Sequence, residues 1–310
     1  MKRSITRDII TKVKTYHHHE NYTLCDRVVN QERLRDAIIA VNKQSTDTIH
    51  IKMVVHDTDH DRDNRRHGDY ALNAYNYLNA LSDVINEIKR PINITFACSI
   101  YDVPSEVNMN GLDNLIDNEN VKRLLLLGYE GTIDHPKVGH WPIAVDWNSR
   151  HLIDKMFTLC TLSQSNKKLK IYCDSHLSER YITYGNDRQQ LHDAIFNTNK
   201  DNSHVTFLEK RTGLLDVFTN YSNHVFVVSP HGFGLDCYRA WEAMLCGAII
   251  IVKTSGLDAI YEGFPVVIVD DWSECMVKSN LLKWYELHKH KTKPTYIWPK
   301  VTYNHFLNRD

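Results

Sequence analysis

No stretch of this 310-residue chain reaches the run of about 18 apolar residues that a membrane-spanning helix needs. Its first residues, Met1-Lys-Arg-Ser-Ile-Thr-Arg-Asp8, hold no apolar segment of the kind that makes a secretory leader. An excess of one charge is missing too. The formal net charge is −1, which excludes a global basic field for nucleic acid or an anionic membrane surface. None of the seven cysteines (25, 98, 160, 173, 237, 246 and 275) belongs to a Cys-x-x-Cys pair. An odd number lying in mostly apolar runs argues against a disulfide framework and for reduced, buried thiols in a soluble cytoplasmic protein. His17, His18 and His19 are adjacent and so do not face one point, and no metal site is read from them. Internal repeats and low-complexity segments are also lacking.

What is present is ordinary in amount and specific in order. Hydrophobic residues make up 42% and charged residues 24%, and the length suits two domains better than one core. From His224 to Trp272, three β-branched runs (His224 to Ser229, Ala248 to Val252, Val266 to Val269) alternate with a helical segment and a turn. That is how a parallel sheet with crossover helices is written. Between the first run and the helix stands Ser229-Pro-His231-Gly232-Phe233-Gly234. Glycines there let a ligand approach the backbone, and a helix starting at once would present free N–H groups to an anion. Arg239 and Glu242, three apart, share a helix face. A guanidinium suits a diphosphate, and a carboxylate can accept from two ribose hydroxyls. Lys253, Thr254 and Ser255, at the end of the next strand, are expected near the phosphates or the transferred sugar.

These residues carry a resemblance. Ser229-Pro-His-Gly-Phe-Gly234, Arg239, Glu242-Ala243 and Gly247 before a β run are similar to the donor-binding half of exostosin-like glycosyltransferases, family 47 and relatives. The match runs from about Lys170 to Trp272, with a weaker echo between Asp134 and Trp147. It implies a GT-B-like α/β fold, two Rossmann-like domains facing across a cleft. It further implies an inverting transfer of a sugar from a nucleoside-diphosphate donor, UDP-linked, to a hydroxyl of a glycan. Xylose, galactose, glucuronic acid and N-acetylglucosamine are the sugars such relatives use. Glu209 to Thr212, with Arg211, resembles the base-contacting region. The expected form is the stand-alone enzyme without a membrane anchor, as in bacteria or large DNA viruses; a viral chain would then act in the host cytoplasm.

Along the chain, helices are predicted over Asp26 to Gln44, Tyr70 to Lys89, Ile153 to Leu162, Asp187 to Phe196, Leu214 to Tyr221 and Glu274 to His288. Strands are predicted over Ile49 to Val55, Ile92 to Ile100, Val121 to Leu127, Lys168 to Cys173 and Val205 to Leu208. The polar Asn148-Ser149-Arg150 marks a boundary. Residues 1–149 are then an acceptor-side domain and 150–290 a nucleotide-sugar domain. The aromatic tail 291–310 is expected to pack back on the first. Asp174, Ser175 and His176 end a strand on the donor side. Asp57, Asp59 and His60 end one in the first domain and are unranked candidates for the base that deprotonates the acceptor. No cofactor is required on this reading. Two alternatives stand beside it. Asp57-Thr-Asp59 could hold Mn²⁺ or Mg²⁺ in a metal-dependent transferase, or the chain could bind sugar nucleotide or glycan without catalysis. Neither sugar nor acceptor nor oligomeric state is readable.

Overall fold

Strands buried on both faces read as continuous apolar runs, and the run at His224–Val228 is buried at all five positions. The computed structural model describes residues 22–25, 31–43, 48–53, 81–98, 110–127, 134–177, 186–197, 202–232, 234–302, 305–306 and 308–309. These fall into two units by contact, one ending at Pro142 and the other starting at Ile143. Both are α/β with a five-stranded, wholly parallel sheet. Among the described residues no helix is long and apolar enough to cross a membrane.

The first sheet follows chain order: β1 (Tyr22–Cys25), β2 (Thr48–Met53), β3 (Ile92–Cys98), β4 (Val121–Leu127) and β5 (Val138–Trp141). Helix α1 (Gln31–Lys43) lies between β1 and β2, and α2 (Asn110–Asp117) between β3 and β4. Strands β1 and β5 and helix α2 were not legible in the sequence. The two strands are four residues each and the helix eight, too short for periodicity to show. The helix predicted over Tyr70 to Lys89 is described only from residue 81. There Leu81, Val84, Ile85 and Ile88 are buried as its stripe requires, and the last turn tightens into a 3₁₀ segment, Ile85–Glu87.

In the second unit, α3 (Ile153–Leu162) precedes β6 (Lys168–Cys173), α4 (Asp187–Phe196), β7 (Val205–Phe207), α5 (Leu214–Asn223), β8 (His224–Val228), α6 (Tyr238–Leu245), β9 (Ile249–Lys253) and β10 (Val266–Val269). Their order across the sheet is β7-β6-β8-β9-β10. The chain therefore steps outward from β6 to β7, then returns past β6 to β8. That reversal between β6 and β8 is a topological switch point, where open parallel sheets leave a crevice at the carboxyl ends of their strands. The first sheet, wound in one direction, has none among its described strands.

Residues 143–149 bond to the second unit. The Ile143 N–H donates to Asp236 at 2.7 Å and the Asp146 N–H to Glu242 at 3.2 Å. The expected single helix after Trp272 is two: a 3₁₀ turn (Trp272–Met276) capped by Asp271 and Glu274, then α7 (Lys278–His288).

The tail, expected to cross to the first domain, instead packs within the second unit. The Trp298 indole donates to the Leu245 carbonyl at 3.1 Å, and Phe306 stacks on Phe264 and meets Trp241 edge-on. Arg309 donates to the carbonyls of Ala259, Ile260 and Glu262. Burying the Trp298 and Phe306 rings and satisfying three carbonyls is reason enough for the chain to stay. The turn that receives it depends on Gly263, whose φ is 76° and whose carbonyl accepts from Tyr296 and Lys300. Replacing Gly263 by alanine should cost about 1–2 kcal/mol in a denaturant melt, because a Cβ disfavours that left-handed backbone. An unchanged midpoint would mean the turn relaxes freely.

Candidate functional site

Strands β6 and β8 leave the sheet at Asp174 and Ser229, on either side of the switch point. Asp174 does not face open solvent. One of its oxygens accepts from Arg239 Nε at 2.5 Å and the other from the Tyr221 hydroxyl at 2.7 Å. Arg239 stands on the first turn of α6 and Tyr221 on α5, so three elements meet at one carboxylate. Burial alone would lower the Arg239 pKa, but Asp174 and then Tyr221 and Cys237 raise it above the usual range. The guanidinium is thus a fixed, permanent charge. Tyr221 is pushed up by burial and by Asp174, and stays a phenol.

The turn after β8 differs from the expected cradle of free amides. The Ser229 N–H donates to the Ile251 carbonyl at 2.8 Å, the Gly232 N–H to the Gly234 carbonyl at 3.0 Å, and the His231 N–H to the Asp187 carboxylate at 2.8 Å. Helix α6 begins at Tyr238 rather than directly after Gly234. At His231 the physical reason is Asp187. It is buried, also accepts from the Trp272 indole at 2.7 Å, and places a negative charge where an anion was expected. His231 is buried beside it, its Nδ1 3.6 Å from the same oxygen. Burial lowers its pKa, and Asp187 opposes that shift only in part.

What the amides no longer offer, guanidiniums do. Arg188, the second residue of α4, donates from Nε to the His231 carbonyl at 3.2 Å. A Cβ on Gly232 would come within 3.3 Å of Arg188 Nη2 and 3.2 Å of Cys237 Sγ, so glycine lets both side chains close over the turn. Burial, and after it the like charge of Arg239, lowers the Arg188 pKa from its usual range, while Cys237 and Asp174 oppose that shift. Arg211 is exposed in the loop after β7. In the same strand ends, the hydroxyls of Ser175 and Ser229 are buried with no hydrogen-bond partner among the described residues, as is His176 Nε2, whose ring meets Phe207 edge-on.

Other expected members are occupied elsewhere. Glu242 accepts from the Asp146 amide, and burial pushes its carboxyl up to about 7. Lys253 donates to Gln190, while Thr254 and Ser255 bond to Asp258 in a local turn. Phe233, Asp57, Asp59 and His60 lie outside the described residues. The structure thus brings Asp174, Ser175, Ser229, Gly232 and Arg239 to neighbouring strand ends, leaves Arg211 exposed in the loop after β7, and gives Glu242, Lys253, Thr254 and Ser255 other partners. Sequence reasoning missed Asp187, Arg188 and Tyr221. The only signal was an Asp-Arg pair opening a predicted helix, which alone reads as a solvated helix start.

No family model matches the chain, and no curated protein sequence is similar to it at a significant level. Among solved structures it is similar to a UDP-forming α,α-trehalose-phosphate synthase from Burkholderia vietnamiensis. The identity is 9%, over 88% of this chain and 76% of that one, with a TM-score of 0.39. It is also similar to the UDP-forming α,α-trehalose-phosphate synthase from Burkholderia xenovorans, at 10% identity over 89% of this chain and 78% of that one, with a TM-score of 0.39.

Proposed function

We propose that this chain is a glycosyltransferase that takes its sugar from a nucleoside diphosphate, and that the second unit binds the diphosphate at the β6/β8 switch point. One observation carries the reading. Arg239, locked by Asp174, and Arg188, whose guanidinium lies over Gly232, stand at the carboxyl ends of a parallel sheet where its winding reverses. Two parallel α/β units are also the parts of which a GT-B-like fold is made.

The chemistry follows from where charge develops. As the bond from the anomeric carbon to the diphosphate breaks, negative charge grows on the leaving oxygens. Guanidiniums already held in place stabilise it without reorganising. The acceptor hydroxyl must lose a proton as it attacks, and Asp57, Asp59 and His60 remain the base candidates. Inversion at the anomeric carbon and a UDP-linked donor belong to this reading by the resemblance around Ser229 to Gly247.

Calorimetric titration with UDP, and release of UDP from a panel of UDP-sugars, test it. UDP should bind the native chain, and Arg239→Lys, which keeps the charge but loses the fork, should weaken it roughly tenfold or more. No binding of UDP or of any other nucleoside diphosphate would end the proposal. Turnover that vanishes with EDTA would favour the metal-dependent alternative at Asp57 and Asp59, and binding with no turnover the non-catalytic one.

A further inference from the structure

We infer that Arg188 is a second anion-binding arm of the switch-point corner and, with Arg211, makes the site select two linked phosphates over one. The inference rests on the diphosphate reading above and names what that site discriminates.

Three observations point the same way. First, the carboxylate at this corner, Asp174, is already taken by Arg239 and Tyr221. Asp187, one residue before Arg188, spends its carboxylate on the His231 amide and the Trp272 indole. Neither carboxylate therefore hydrogen-bonds to Arg188, and Arg239 lies near enough to act on it as a like charge. Gathering like charges opposes folding, and such clusters persist where an anion offsets them. Secondly, Arg188 is anchored by its Nε alone, at the His231 carbonyl. Its Nη2 lies over Gly232, where a side chain would meet it. A guanidinium tethered at one edge keeps its other donors for a second oxygen ligand. Thirdly, the Ser175 and Ser229 hydroxyls are 1% and 3% exposed and make no hydrogen bond among the described residues. Buried hydroxyls without partners are costly, and an oxygen-rich ligand is what would satisfy them.

The division of labour follows from the anchoring. Arg239 is fixed by Asp174 and suits one phosphate as a rigid donor. Arg188 approaches from α4, over the glycine turn, and Arg211 from the loop after β7. A monophosphate can engage one arm, whereas a diphosphate spans both.

The test is titration of the full chain with UDP, UMP, inorganic pyrophosphate and orthophosphate. The native protein should prefer UDP to UMP and pyrophosphate to orthophosphate. Arg188→Gln should lose roughly tenfold to a hundredfold in UDP and pyrophosphate affinity while UMP binding is unchanged, collapsing the preference. Arg211→Gln, at an exposed position that folding does not depend on, should reduce the same preference and serves if Arg188→Gln does not fold. A native chain without the preference, or variants that keep it, would overturn the inference. If UDP fails to bind while pyrophosphate binds through Arg188, the nucleotide reading falls and the second arm stands. If donor sugars turn over but both variants keep the native preference, the reverse holds.

Discussion

Replacing Asp174 by alanine is expected to lower the stability of the second unit by roughly 3–5 kcal/mol and to abolish UDP binding. Its side chain is 9% exposed and that of Arg239 17%. Removing the carboxylate leaves a guanidinium that cannot deprotonate, far from bulk water, without its counter-charge. The Tyr221 hydroxyl loses its acceptor in the same step. A unit of this size should then melt about ten degrees lower. Asp174→Asn should be milder, since its oxygen can still accept one of the two bonds. The decisive comparison is the double variant Asp174→Ala with Arg239→Met. With both charges gone the penalty for burying one alone disappears, so stability should recover while binding does not. If Asp174→Ala melts like the native chain, water screens the pair and Arg239 is not held for a ligand.

That pair also shows where sequence reasoning stops. The β-branched runs that became β8 and β9 were legible because a strand covered on both faces can hardly be written otherwise, and β10 follows the same pattern although Ile268 on this edge strand is exposed. Arg239 was legible as a helix residue following the Ser229 to Gly234 turn, and the Asp174-Ser175-His176 end because polar residues after such runs sit at strand ends. Strand order was not. Nothing in a pattern of periods says that β7 lies outside β6, and the switch point exists only because it does. The destination of Asp187 was equally hidden. A carboxylate at a helix start reads as a favourable charge near the dipole, yet here it crosses to the neighbouring turn and occupies the amide expected to hold a phosphate. Arg239 and Glu242 were correctly placed on one helix, but their tasks divide. Arg239 turns to β6, whereas Glu242 turns to residues that the sequence assigned to the other domain.

Glu242 and its neighbour Asp236 should therefore make stability fall as pH rises. Burial pushes Glu242 from the usual 4.5 up to about 7, and Asp236 from 3.8 up to about 6. Both folded values lie above the unfolded ones. The contribution of each is thus fully present below about pH 4 and is lost as pH rises through the folded value, because the unfolded chain ionises first. The loss is about 3 kcal/mol for each group when taken alone. Glu242→Gln removes this term while keeping an oxygen for the Asp146 amide. The repulsion between the Glu242 and Asp146 charges also disappears in this variant. Relative to the native chain, the variant should be equally stable near pH 4 and more stable by up to about 3 kcal/mol near pH 8. Asp236→Asn flattens the profile as well but gains nothing. Its two oxygens accept from the Ile143 amide at 2.7 Å and the Trp241 indole at 2.8 Å, so an amide nitrogen must face one of those donors. That mismatch costs about 1–3 kcal/mol at every pH. Urea melts of the three proteins across this range separate the two effects. Parallel curves for native and Glu242→Gln would show that the carboxylate is ionised in the fold, and that Glu242 holds residue 146 as a charge rather than as a buried acid.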